Sequence, residues 1–383
     1  MASALQYYPY LYTTPPFLVF FTFVFSNKDF KYSLKETRHT IHNHLPNPPV
    51  FFFFALSLSL SLSLLKRQKL SLSKMASSTV CVMDASGELG SSLVERLLQR
   101  GYTVHAVVQS GQNHGDDHDL KYLDGICCDE NKKLKVFHSD PFDYQSIIGA
   151  LRGCSGLFYT FEPPQDQPTY DEFMTDVEVR AAHNVLEACA QTDTIEKVVF
   201  TSSITAVVWR DDRTSDSSDL DERHWSDANL CRKFKLWHGL SKTLTEKTAW
   251  ALAMDRGLSM VSINAGLLMG PQLSISNPYL KGAAEMYEDG LFVTVDLNFL
   301  VDAHICAFED VSSYGRYLCF NHVINRPEDA LQLARKLTPS SPPPPQSYEE
   351  DKRIFQQRIS NKKLNKIMVD FQRGSQEIEQ NNA

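Results

Sequence analysis

The chain lacks the patterns that would place it in several large classes. Its eight cysteines are scattered, without the Cys/His spacing of a zinc site or the density of a disulfide framework. Cys127 and Cys128 are neighbours and read as two loop thiols in a reducing compartment. There is no basic patch with interleaved aromatics, and the net charge is −8, so nucleic acid is not an expected partner. No internal repeat is visible. The longest apolar stretch, Val50–Leu65, is short for a membrane span and is interrupted by serines. A secretory signal would lie nearer the N-terminus and end at a small-residue cleavage site.

What the first 74 residues do contain is low complexity. FFFF is followed by an alternating Leu-Ser run at Leu56–Leu65 and then by KRQK. The serine-rich, acid-poor composition suits a transit peptide. Repeated Ser-Leu and repeated Phe are also what CT and T tracts encode, and Met75-Ala-Ser-Ser reads as an ordinary start. Residues 1–74 are therefore expected to be a translated leader or a targeting extension. Membrane attachment is expected only if residues 50–65 are retained. The body from Met75 is more acidic than the whole, because the leader carries more Lys and Arg than Asp and Glu.

The stretch that organises the body is Val80–Gly90, VCVMDASGELG. Val80–Met83 reads as a buried strand and runs into a turn of small residues. Leu89, Leu93, Val94, Leu97 and Leu98 then fall on one helical face, and Gly101 stops the helix. Strand, glycine turn and helix form the first unit of a dinucleotide-binding fold, with a pyrophosphate expected on the helix N-terminus. Ser86, Gly87, Leu89 and Gly90 surround that position. Where the first fingerprint glycine belongs stands Asp84. Its carboxylate is favourable at the positive end of a helix but opposes a phosphate there. Two charges about 4 Å apart at an effective dielectric near 20 repel by roughly 4 kcal/mol.

Further along, Tyr102–Gln109, Leu134–His138, Gly156–Thr160, Lys197–Ser202 and Ser259–Asn264 read as strands. Ile147–Leu151, Asp171–Gln191 and Leu240–Ala253 read as helices. This alternation predicts an α/β fold, a Rossmann-type doubly wound parallel sheet, over residues 75–271. Residues 272–372 are expected to form a smaller C-terminal substrate lobe interleaved with it. Pro342–Pro345 is a break, and 373–383 a frayed tail. Tyr279, Lys281, Met286, Tyr287 and Phe292 supply the aromatic and polar residues of a substrate pocket, or of ordinary packing.

GYTVHAVVQ, VFTSSITAVVW, DERHWSD, LSKTLTEKTAWALAMDRG and GRYLCFNH, in this order and spacing, resemble the plant cinnamoyl-CoA reductase and dihydroflavonol reductase group of extended short-chain dehydrogenases/reductases. The resemblance runs from about Ser77 to Phe371. It implies NADP(H), with NAD(H) not excluded, a phenylpropanoid or flavonoid small molecule as substrate, and a cytoplasmic location. It implies hydride transfer to a carbonyl or CoA thioester, with a Ser, a Tyr and a Lys around the nicotinamide.

Ser203 and Lys242 match two of these positions. The Tyr position holds His238, four residues before Lys242 and so one helical turn away. As imidazolium, His238 can donate a proton; otherwise it lines a pocket that has lost the chemistry. Gln109 stands where NADP-selective relatives carry Arg and NAD-selective proteins carry an acid. His105, His114 and Lys121 are candidate substitute cations or ordinary polar residues. Asp140 matches the adenine contact, and Ala265 replaces a Pro near the nicotinamide. No metal site is expected. Asp84, Gln109, His238 and Ala265 together keep a second expectation open: a catalytically impaired relative that acts as a binding or regulatory protein.

Overall fold

The computed structural model describes residues 78–109, 133–161, 170–211, 219–339, 353–369 and 371. The leader 1–74, the loop with His114 and Lys121, Cys127–Cys128, Pro342–Pro345 and the tail from 373 lie outside the described residues.

The first β-α-β unit is β1 (Thr79–Met83), α1 (Glu88–Gln99) and β2 (Thr103–Gln109). Next come β3 (Leu134–Ser139), α2 (Tyr144–Leu151), β4 (Gly156–Tyr159) and α3 (Glu172–Ala190). They are followed by β5 (Lys197–Ser203), the short helices α4 (Thr205–Val208) and α5 (Ala228–Lys233), α6 (Trp237–Arg256) and β6 (Met260–Ala265). Central strands such as TVHAVVQ are buried along nearly their whole length, as expected of a parallel sheet covered on both faces. Asp143 and Asp171 start α2 and α3 by accepting backbone N–H bonds, at 3.1 Å from Gln145 and 2.8 Å from Met174.

The main sheet has seven strands in the order β3-β2-β1-β4-β5-β6-β9, with β9 at Gly315–Cys319, all paired in parallel. The direction of winding reverses between β1 and β4. Ligands of such sheets bind outside the strand C-termini at that reversal. One face of the sheet packs on α1 and α8 (Leu297–Glu309), the other on α2, α3 and α6.

Two elements from beyond residue 271 return to this sheet. The seventh strand is β9 (Gly315–Cys319), paired with β6, and α8 lies beside α1. The Arg96–Asp302 ion pair, 2.7 Å, ties the two helices. β9 is buried from Arg316 to Cys319, with Tyr317 and Cys319 in the cluster shared with α1 and α8 and Leu318 on the opposite side. The rest of that region includes β7 (Leu267–Leu268), α7 (Ala283–Glu288), β8 (Val293–Val295), β10 (His322–Val323) and α9 (Pro327–Leu337). A three-stranded sheet, β10-β8-β7, lies over a separate apolar cluster with Trp209, Tyr279, Phe292 and Phe320. Among the described residues, no helix is long and apolar enough to cross a membrane, and no His/Cys/Asp/Glu group could hold a metal ion.

Candidate active site

The turn after β1 is shaped by Asp84, whose φ of 62° lies in the left-handed region. Glycine serves such positions most easily, and aspartate is among the few other residues that tolerate them. Gly90 shows why this turn is tight. A Cβ there would lie 2.1 Å from the Asp84 carbonyl oxygen, so the first turn of α1 presses directly on residue 84. Gly87 is the N-cap of α1 and makes no side-chain cap hydrogen bond; Ser86 donates to Asp84 Oδ1 at 3.3 Å instead. Leu89 is buried in the core beneath and contributes to the turn through its backbone.

Asp84 is 6% exposed, and Gln109 Nε2 donates to its Oδ2 at 3.3 Å. Two residues that depart separately from the family pattern are thus one hydrogen-bonded pair. A hollow opens beside them, lined by Met83, Gln109, Ser139, Pro141 and Thr160 among others. Asp140 is exposed next to it, and its carboxylate accepts from Phe142 N–H at 2.8 Å, closing its own turn. His105 is elsewhere: it is buried against the Ala150 carbonyl, 2.7 Å, and the Cys154 thiol, 3.3 Å.

Glu88 is a second acid at the mouth of α1. Its carboxylate packs against Gly270, where a Cβ would meet Oε1 at 1.7 Å. Burial raises its pKa, against a backbone hydrogen bond from Gln272 that lowers it. Oε1 is buried with no hydrogen-bond partner among the described residues.

The second half of the site stands on β5 and α6. Ser203 is the last residue of β5. It donates to the Ala265 carbonyl at 3.4 Å and accepts from Thr205 N–H at 3.2 Å and Thr205 Oγ1 at 3.0 Å. Thr205 Oγ1 also lies 3.0 Å from His238 Nδ1. A threonine hydroxyl has one proton. Because Thr205 gives it to Ser203, it accepts from His238, which assigns the proton of the neutral imidazole to Nδ1 and leaves Nε2 as an acceptor. Burial, and then the charge of Lys242, hold His238 well below the usual histidine range. Tyr170 meets the imidazole edge-on at 5.0 Å, and Tyr279 lies 6.1 Å away.

Lys242 Nζ donates to Glu178 Oε1 of α3 at 2.6 Å. Glu178 is almost fully buried and also accepts from Ser241 and, at 3.3 Å, from Tyr170. An ammonium carries three donors, so one bond to Glu178 does not exhaust it. One turn further along α6, buried Glu246 pairs with Arg316 of β9 at 2.9 Å and accepts from Ser202, Ser262 and Asn264. Arg316 stacks on Trp225 at 3.6 Å.

Ser203, His238 and Lys242 are therefore brought to one rim, and Asp84, Ser86, Gly87, Gly90 and Gln109 to one turn. Glu88, Glu178 and Thr205 were not singled out from the sequence. Glu178 had a signal: it falls among the apolar positions of α3, where a carboxylate requires a partner. Thr205 had none, because its role follows from the bend after β5.

The fold and rim define a nucleotide-binding oxidoreductase of the extended short-chain type. A family profile, the NAD dependent epimerase/dehydratase family, matches residues 80–288. The chain belongs to this family, within the plant group that contains cinnamoyl-CoA reductases. It is 33% identical to cinnamoyl-CoA reductase 1 of Petunia hybrida, over 78% of this chain and 90% of that one. It is 34% identical to cinnamoyl-CoA reductase 2 of Medicago truncatula, over 76% and 87%. Vestitone reductase of alfalfa (Medicago sativa) superposes with a TM-score of 0.56 at 26% identity, covering 76% of this chain and 91% of that one.

Proposed function

We propose that this chain is a nicotinamide-dependent oxidoreductase that reduces a phenylpropanoid-type carbonyl or CoA thioester, or oxidises the corresponding alcohol. The observation that carries this reading is the hydrogen-bonded line from His238 through Thr205 to Ser203, at the strand rim where the family's chemistry is expected. The substrate class rests on the relatives' names and on Tyr170 and Tyr279 beside the imidazole.

The residues present fit a dinucleotide. Gly87 leaves the N-terminal amides of α1 without a side-chain cap, and Gln109 lines a hollow beside that turn. When bound, the cofactor supplies or accepts the hydride. The NADP(H) implied by the resemblance would need a cation for its 2′-phosphate. No lysine, arginine or histidine lines the hollow among the described residues.

His238 Nε2 is the atom that exchanges the proton with the substrate oxygen. In the reducing direction the imidazole must first be charged, and its low pKa makes that form scarce near pH 7. Ser203 positions the same oxygen, and Lys242, steadied by Glu178 at 2.6 Å, would hold a ribose hydroxyl of the cofactor. Six buried, unbridged cysteines among the described residues accord with a reducing, cytoplasmic location.

A second reading, a binding or regulatory protein without turnover, is favoured by one observation. Asp84, in the turn that leads into α1, puts a buried carboxylate close to where a pyrophosphate would approach that helix. The two are separated by assaying the full chain with NADH and NADPH against hydroxycinnamoyl-CoA esters, aldehydes and dihydroflavonols. The corresponding alcohols are assayed with the oxidised cofactors. Turnover that falls at least about a hundredfold in His238→Ala supports the enzyme. Turnover that appears only in His238→Tyr, or in that change combined with Asp84→Gly, supports the second reading.

A further inference from the structure

Ser203 Oγ accepts twice from Thr205, from its N–H at 3.2 Å and from its Oγ1 at 3.0 Å. A hydroxyl has two lone pairs and one proton, so these two bonds fill its acceptor side. What Ser203 has left to offer is its proton. That proton goes to the Ala265 carbonyl at 3.4 Å, near the outer limit of a hydrogen bond, and a closer acceptor would take it. On its other side, Thr205 Oγ1 takes the Nδ1 proton of His238 at 3.0 Å, so the neutral ring presents the lone pair of Nε2. One buried hydroxyl thus fixes both neighbours, Ser203 as a donor and His238 as an acceptor. Thr205 is itself held in place. Ser226 Oγ donates to its carbonyl at 2.8 Å. Gly239, next to His238, lets the first turn of α6 close on α4: a Cβ there would stand 3.2 Å from the Thr205 carbonyl oxygen and 2.6 Å from Trp209 Cδ1.

We propose that Thr205 is a positioning residue that presets this site for an alcohol rather than for the carbonyl compound of the same skeleton. The proposal rests on the reading above, in which Ser203 and His238 meet one substrate oxygen. An alcohol oxygen accepts from Ser203 and donates its own proton to His238 Nε2, which satisfies both groups. A carbonyl oxygen has no proton to give. It accepts from Ser203 but sets its lone pairs against that of Nε2. The carbonyl is matched only by a charged ring, and burial together with Lys242 opposes that charge. The compound held best near neutral pH is therefore the alcohol.

The first test needs neither substrate nor cofactor: the histidine ring nitrogens of the full chain are observed by NMR at pH 7. His238 is assigned as the signal pair lost in His238→Asn, and should show a protonated Nδ1 and an unprotonated Nε2. Thr205→Val keeps the branched shape but removes the acceptor, and should move the proton towards Nε2. Thr205→Ser restores the hydroxyl and should restore the tautomer. A proton on Nε2 or a charged ring in the unaltered chain overturns the proposal without recourse to any variant. So does a tautomer that Thr205→Val leaves unchanged.

The second test reads the preference. The p-hydroxycinnamyl alcohol and the matching aldehyde are titrated by calorimetry into the full chain with ADP-ribose, which lacks the redox ring. The alcohol is expected to bind at least about tenfold more tightly. Thr205→Val should remove most of that ratio and Thr205→Ser should keep it. Equal or tighter binding of the aldehyde overturns the preset and leaves the enzyme reading standing. If neither compound binds, the phenylpropanoid reading falls, and the preference with it.

Discussion

At the scale of single residues, the rim between β5 and α6 is governed by where protons sit. His238 donates through Nδ1 to Thr205 and keeps Nε2 unprotonated, while burial and Lys242 disfavour its charged form. Carbonyl reduction that draws its proton from His238 should therefore speed up as pH falls from 8 towards 6. Alcohol oxidation, which uses the neutral ring, should be level over the same range. A pH–rate profile of kcat in both directions checks this, and His238→Ala should remove the pH dependence together with the activity. Glu178 is the other decisive residue. Its carboxylate holds Lys242 at 2.6 Å and also accepts from Ser241 and Tyr170. Glu178→Ala would leave a largely buried ammonium and two hydroxyls without their acceptor. The expected loss is about 3 kcal/mol in chemical denaturation.

At the scale of elements, the first β-α-β unit carries the tightest steric constraint. α1 can approach the turn after β1 only because residue 90 has no side chain; a Cβ would lie 2.1 Å from the Asp84 carbonyl oxygen. Because that contact is with backbone, it cannot be relieved by turning a side chain. Gly90→Ala should destabilise the protein by about 3 kcal/mol and weaken dinucleotide binding in the same step, measured by denaturation and titration. This unit was legible in the sequence almost residue by residue, because the apolar spacing of Leu89, Leu93, Val94 and Leu97 leaves only one face to bury. The helix bearing His238 and Lys242 was legible only from Leu240. Its first turn, Trp237–Gly239, lies within the site and lacks a side-chain cap to announce it. The placement of β9 was not legible at all. Nothing in GRYLC says which sheet it joins; it pairs with β6 from Gly315 to Cys319, and Arg316 meets Glu246 of α6 across that edge.

At the scale of the whole molecule, buried histidines couple stability to pH. His304 of α8 lies against β5, with Nδ1 donating to the Leu300 carbonyl at 2.8 Å and Nε2 2.8 Å from Thr201 Oγ1. Burial pulls its pKa down from 6.5 to about 4. The unfolded chain thus binds a proton at this residue between those values while the folded chain does not. Stability contributed here is present above pH 6.5 and is lost as pH falls towards 4, by about 3 kcal/mol. Denaturant midpoints at pH 7 and 4.5 should show the loss, and His304→Asn should reduce the pH dependence.

By itself the sequence determined the parallel sheet, the succession of its first six strands along the chain, the strand, glycine turn and helix that open it, and the placing of Ser203 after β5 and of His238 and Lys242 one helical turn apart. Each of these follows from local periodicity, from residues close together in the chain, or from resemblance over whole segments. What only the tertiary structure decided is which departures belong together. Asp84 and Gln109 become one pair because β1 and β2 lie side by side. Glu178 reaches Lys242 because α3 and α6 share one face of the sheet. Thr205 connects Ser203 to His238 because the chain bends after β5. Hydrogen bonds act over about 3 Å, and the sequence carries no record of which distant residues come that close.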